Sequence, residues 1–193
     1  MQRICVYCGS SPGRQDIYRA AARDLGATLV RHGLGLVYGG ASVGVMGALA
    51  DAVLTAGGEV VGVIPEPLAV REIAHPGLTR QHVVKSMHER KALMAELSDG
   101  FVALPGGWGT LEEIFEILTW AQLGFHQKPC GLLNIGGYFD GLFTFLEHTV
   151  TEQFVRPEYR AMLILEDMPE RLLERFARYQ APTVRKWLTT EAT

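Results

Sequence analysis

Three glycines in four positions, Gly106, Gly107 and Gly109, lead directly into Thr110 and the paired carboxylates Glu112 and Glu113. They lie in the stretch LPGGWGTLEE, residues 104–113. The apolar run GFVALP before the glycines reads as a strand, and TLEEIFEILTWAQL after them as a helix. Glycines at such a turn let an anion come close to backbone N–H donors at a helix start. Carboxylates that start at such an anion-binding turn resemble the wall of a site more than a solvated face. A plainer reading is available: Thr110-x-x-Glu113 also fits a capping box, worth ~1 kcal/mol and needing no function. Helical geometry favours the first, because Glu113, Glu116 and Trp120 share a strip separate from the face of Leu111, Ile114, Leu118 and Ala121.

A second set of residues lies upstream in SMHERKALMAELS, a helical pattern opened by Ser86. Met87, Leu93, Met94 and Leu97 make its apolar face, and Arg90 falls in the middle of that face. An arginine seldom occupies such a place unpaired, since a buried lone charge costs several kcal/mol. Either Arg90 makes a structural bridge or snorkels outward, or it is aimed at a phosphate or a carboxylate, with Lys91 at its flank.

The elements that must position these groups alternate along the whole chain. Strand patterns occur at 4–8, in LGLVYGG, EVVGVIP, LTRQHVV, GFVALP and PCGLLNI, and at 162–166. Helical patterns run from about Gln15 to His32, through GVMGALADAVLTAG, through the two helices already named, from about Tyr138 to Gln153, and from Pro169 to Tyr179. The segment from Pro65 to Gly77 reads as a loop. This alternation predicts a single α/β domain over 1–181, a doubly wound parallel sheet of about seven strands, with 182–193 a loosely held tail. In such sheets ligands bind beyond the carboxyl ends of the strands. Gly9 and Ser10 follow the first strand, Gly39 and Gly40 the second, and Gly106, Gly107 and Gly109 the fifth, so three glycine-rich exits converge on one edge.

Several functions are excluded. Gly39 to Gly44 has P-loop spacing, but Val45 and Met46 stand where Lys and Ser/Thr are required. GSSPGR lacks the dinucleotide fingerprint, and Glu112 replaces its third glycine after Gly107 and Gly109, so no nicotinamide or flavin cofactor is expected. A monophosphate suits this turn better than a triphosphate. The histidines have no metal-binding spacing, and no metal is expected. The net charge of −3 argues against nucleic acid as a partner. No apolar run approaches the ~18–20 residues that span a bilayer. Cys5, Cys8 and Cys130 make no disulfide framework, and Cys5 and Cys8 should point to opposite faces of one strand as reduced thiols. A soluble cytoplasmic protein is expected.

PGGWGTLEE, with SMHERK upstream, resembles the P-G-G-x-G-T-x-x-E and M-H-x-R-K signatures of the Lonely Guy family, long mislabelled as lysine decarboxylases. The similarity extends over CVYCGSS, YGGASVGVMGALADA, REIAHPGL and GYFDGL. The resemblance implies a Rossmann-like homodimer that hydrolyses the N-glycosidic bond of cytokinin or adenine nucleoside 5′-monophosphates. It also implies that Arg90 and Glu113 are catalytic, and that Glu72, Lys91, Gly107, Trp108, Gly109, Thr110, Leu111, Glu112 and Thr119 contact substrate. The chemistry would pass through a ribosyl oxocarbenium ion, with Glu113 held ionised by the helix dipole. A broad AMP nucleosidase and a non-catalytic nucleotide or cofactor carrier are the alternatives. Lysine decarboxylation fits poorly, because Lys85, Lys91, Lys128 and Lys186 have no pyridoxal-phosphate context.

Overall fold

A computed structural model describes residues 1–69 and 73–182. Seven parallel strands form one sheet: β1 (Arg3–Tyr7), β2 (Gly35–Tyr38), β3 (Val60–Pro65), β4 (Arg80–Val84), β5 (Gly100–Ala103), β6 (Cys130–Leu133) and β7 (Leu163–Glu166). Their spatial order is β4-β3-β2-β1-β5-β6-β7. The chain therefore winds outward from β1 to β4, then returns to the other side of β1 at β5. The reversal falls between β1 and β5, where Cys5 pairs with Phe101 and Tyr7 with Ala103. A crevice opens beyond the carboxyl ends of strands that part in this way.

Helices cover both faces. On one side lie α1 (Ile17–Arg31), α2 (Gly44–Thr55) and α8 (Pro169–Ala177), packed on Ile4, Val6 and Cys8. On the other, α4 (Met87–Glu96) and α5 (Trp108–Leu123) pack on Cys5 and Tyr7 through Met94, Ile114 and Ile117. The period-two alternation along β1 thus divides two cores, and it separates the two thiols as expected. All three cysteines are free and buried, and burial pushes the Cys5 thiol up to about 12.

Two short helical turns, α3 (Glu66–Leu68) and α7 (Pro157–Arg160), and the helix α6 (Asp140–Thr151) complete the fold. The segment 65–77, expected as loop, contains α3, and α7 has no counterpart among the expected elements. Both turns begin with a proline in their first two positions, so the same residues that suggest a loop also start a single helical turn. The expected tail falls almost wholly beyond the described residues. No described helix is long and apolar enough to cross a membrane.

Candidate active site

Ser86 opens α4 as expected, its hydroxyl accepting from the Glu89 N–H at 3.1 Å. That start fixes the rotation of α4 and turns Arg90 inward over the ends of β2 and β3. Its Nε donates to the Val63 carbonyl at 3.1 Å, and Nη1 donates to Glu113 Oε1 at 2.7 Å. The side chains of Arg90 and Glu113 are only 11% and 8% exposed. Nη2 lies against Gly39, where any Cβ would collide with it. One charge is therefore held by a strand carbonyl, a carboxylate and a glycine, while Met87, assigned to the same apolar face, is exposed at the first turn.

Lys91 is buried and bridges two carboxylates of α5, Glu112 Oε1 at 2.5 Å and Glu116 Oε1 at 3.0 Å. Burial lowers the pKa of its ammonium, but the hydrogen bonds it donates to Glu112 and Glu116, with their charges, outweigh this and hold it above the usual lysine value. Arg90 and Lys91 thus clamp α4 to the strip of glutamates on α5.

The helix α5 begins at Trp108 with Gly107 as its N-cap, two residues before the start read from the sequence. Thr110 is consequently inside the first turn, buried beneath Gly106, and caps nothing. The capping box is overturned, since the Glu113 carboxylate is engaged by Arg90. The helix dipole also fails to account for the ionisation of Glu113. Its influence falls away after the first turn, and Glu113 lies in the second turn. Burial pushes its pKa above the ordinary 4.5, with the charge of Arg90 opposing the rise.

Beside α5, a cavity of about 280 Å³ is lined by Gly9, Ser10, Gly106 and Gly107, with Tyr18 and Tyr138 on its rim. The turn here is tightly built: Gly9 donates to the Pro105 carbonyl at 3.2 Å, and a Cβ on Gly106 would strike Thr110. Gly107 and Gly109 differ. A Cβ on either would meet no atom of the described residues within 4 Å, and neither has a positive φ. Neither packing nor backbone strain calls for glycine at these two positions. They leave bare the N-terminus of a helix whose first N–H groups have no partner within the helix.

The expected residues separate into groups. Arg90 pairs with Glu113, and Lys91 with Glu112 and Glu116, a cluster of two ion-pair groups that joins α4 to α5. Gly39 abuts that cluster, and Gly40, at φ +78°, turns the chain beside β3. Trp108 stands 89% exposed. Leu111 packs partly into the core, and its N–H donates to the Gly107 carbonyl. Thr119 is exposed on α5, three residues beyond Glu116, and its hydroxyl donates to the Phe115 carbonyl at 2.7 Å. Glu72 lies outside the described residues. Tyr138 joins the site without being among the expected residues: its hydroxyl donates to the Gly106 carbonyl at 2.6 Å. Its only local signal is the Gly136-Gly137 pair that precedes it.

Fold and site together define a Rossmann-like α/β protein with a buried arginine–glutamate pair next to a glycine cradle. Residues 46–176 match a family model described as possible lysine decarboxylase. A cytokinin riboside 5′-monophosphate phosphoribohydrolase from Rhodococcoides fascians is 54% identical over 163 residues, 84% of this chain and 82% of that one. A probable enzyme of the same name from Oryza sativa subsp. japonica is 49% identical over 178 residues, covering 92% and 73%. The chain belongs to this family, the Lonely Guy phosphoribohydrolases that its motifs resemble. The fold also matches the molybdenum cofactor binding protein of Rippkaea orientalis, with TM-score 0.70 at 22% identity over 92% of this chain and 97% of that one.

Proposed function

We propose that this protein hydrolyses the N-glycosidic bond of nucleoside 5′-monophosphates, cytokinin nucleotides among them, releasing a free base and ribose 5-phosphate. The observation that carries the proposal is the buried pair that Arg90 of α4 makes with Glu113 of α5, the helix whose N-terminus is left bare by Gly107 and Gly109. The 5′-phosphate rests on the first N–H groups of α5, in the cradle of Gly9, Ser10, Gly106 and Gly107. Glu113 follows Thr110 by three residues, about 4.5 Å along the helix axis, so a sugar held by its phosphate extends toward the carboxylate.

As the bond from C1′ to the base breaks, its electron pair leaves with the base and C1′ gains oxocarbenium character. Arg90 engages Oε1 of Glu113, which leaves Oε2 to face the cation or the attacking water. Water delivers its oxygen to C1′, and protons from water and solvent complete both products. Phosphate binding remote from the bond being cut positions that bond for attack. Lys91, Glu112 and Glu116 keep the glutamate strip in register.

Incubation with AMP and with isopentenyladenosine monophosphate tests this reading. Free base should appear, with faster release from the prenylated nucleotide. Equal or faster release from AMP would mark a broad purine nucleotide nucleosidase, and binding without release would mark a carrier. A Gly39→Ala variant should lower turnover about tenfold and cost about 1–3 kcal/mol of stability, because the added methyl pushes the guanidinium of Arg90 off its seat between the Val63 carbonyl and Glu113. Undiminished turnover would remove Gly39 from the site.

A homodimer is part of the same proposal. Leu123 and Phe125 are exposed at the carboxyl end of α5, next to a groove of about 490 Å³ lined by Phe101, Trp120 and His126. This apolar surface lies at the opposite end of the sheet from the cradle, and a second copy would cover it. Light scattering should give twice the monomer mass; a monomer at micromolar concentration would remove the dimer. The reduced, buried cysteines support a cytoplasmic location.

A further inference from the structure

The turn between β6 and α6 is elaborately built for a surface connection, and the reaction just proposed makes no use of it. Gly136 and Gly137 both take left-handed conformations, φ +59° and +74°. Asn134 closes the turn from beneath: its Nδ2 donates to Asp140 Oδ1 at 2.7 Å, and its Oδ1 accepts from the Phe139 N–H at 2.8 Å. The product of this geometry is the position of Tyr138. Its ring stands edge-on to Tyr18, centroids 5.6 Å apart at 76°, and to Phe139, 5.0 Å apart at 90°. Held from both sides, it donates its hydroxyl proton to the Gly106 carbonyl at 2.6 Å. Tyr138 is 44% exposed, so burial of the ring is not what the arrangement achieves.

We propose that Tyr138 is a positioning residue for the phosphate cradle, fixing the Gly106–Gly107 peptide so that its N–H faces the incoming anion. The reason lies in the peptide unit. It is planar and trans, so the Gly106 C=O and the Gly107 N–H point in opposite directions. Pinning the carbonyl toward Tyr138 aims the N–H away from it. Among the described residues that N–H has no protein partner. Gly107 is also the N-cap of α5, so its peptide orientation sets the direction from which the bare helix start is approached. The preceding carbonyl, that of Pro105, is already held by Gly9. Without Tyr138 the glycine-flanked peptide has little else to stop it rotating, because glycine accepts most backbone conformations.

The inference rests on the phosphate-binding reading above and is tested by the Tyr138→Phe variant, which keeps the ring contacts and removes only the hydroxyl. KM for a nucleoside monophosphate and the Kd for ribose 5-phosphate should both rise about fivefold, the scale of one hydrogen bond. The value of kcat should stay near that of the wild type. Amide exchange of Gly107 and Trp108 should speed up in the free protein, while amides of β1 and β5 stay protected. Unchanged KM and Kd with a lowered Tm would make Tyr138 merely structural, and a fall in kcat alone would also overturn the role. Were the unmodified protein to bind neither ribose 5-phosphate nor nucleotide, the proposed function would fail on its own, and the exchange of Gly107 would still decide whether Tyr138 holds the turn.

Discussion

Glu113→Gln is expected to slow base release from a nucleoside monophosphate by a factor on the order of 10²–10⁴, with nucleotide affinity little changed. The substitution conserves shape and removes only the negative charge. An amide oxygen still accepts from Arg90 Nη1, so the guanidinium keeps its seat on Val63 and the fold loses about 1 kcal/mol, the difference between charged and neutral hydrogen bonds. What disappears is the anion that opposes the cationic sugar. Because burial raises the pKa of Glu113 above 4.5, the wild-type kcat should fall as pH drops through that raised value, not through the ordinary one. In Glu113→Gln this acid limb should vanish from the residual rate. Near-normal turnover in the variant, or an acid limb that survives in it, would strip Glu113 of its role.

The path from sequence to site was direct where local pattern and chemistry coincide. Strand alternation, glycine exits and the Ser86 cap all depend on neighbouring residues, and each element they predicted is present. Arg90 on an apolar face could be recognised as paired, because the cost of leaving it alone is large. Its partner could not be read from spacing: α4 and α5 meet only because β5 returns beside β1. The start of α5 was misplaced for a related reason. Trp108 and Gly109 have poor helix propensity, so Thr110 reads as the first capping residue, whereas the strand exit dictates where the helix begins. The ionisation of Glu113 was assigned to the dipole because depth of burial has no local signature. Tyr138 escaped notice for the same cause, since its partner Gly106 is 32 residues away in the chain.

The consequences of removing Arg90 follow from that pair. In Arg90→Met the Glu113 carboxylate remains buried with its main opposing charge gone, and an uncompensated buried charge costs ~3–5 kcal/mol. The group avoids much of that cost by taking up a proton. Its pKa therefore rises further, and the acid limb of kcat should move to higher pH than in the wild type, with kcat at neutral pH sharply reduced. Stability has a definite sign. A carboxyl whose folded pKa exceeds its unfolded value favours the folded state below the unfolded pKa, and that advantage is lost as pH rises through the folded pKa. Arg90→Met should thus be least stable at neutral and alkaline pH and should recover as pH falls through the raised pKa of Glu113, whereas the Arg90→Met/Glu113→Gln double variant should lose this dependence. Arg90→Lys restores the charge, but a single ammonium cannot reproduce the fork spanning the Val63 carbonyl and Glu113, so it should rescue the acid limb more than the rate. Thermal melts across pH and the kcat profile measure both effects. An acid limb that stays where it was in Arg90→Met would mean that Arg90 and Glu113 do not act as one unit.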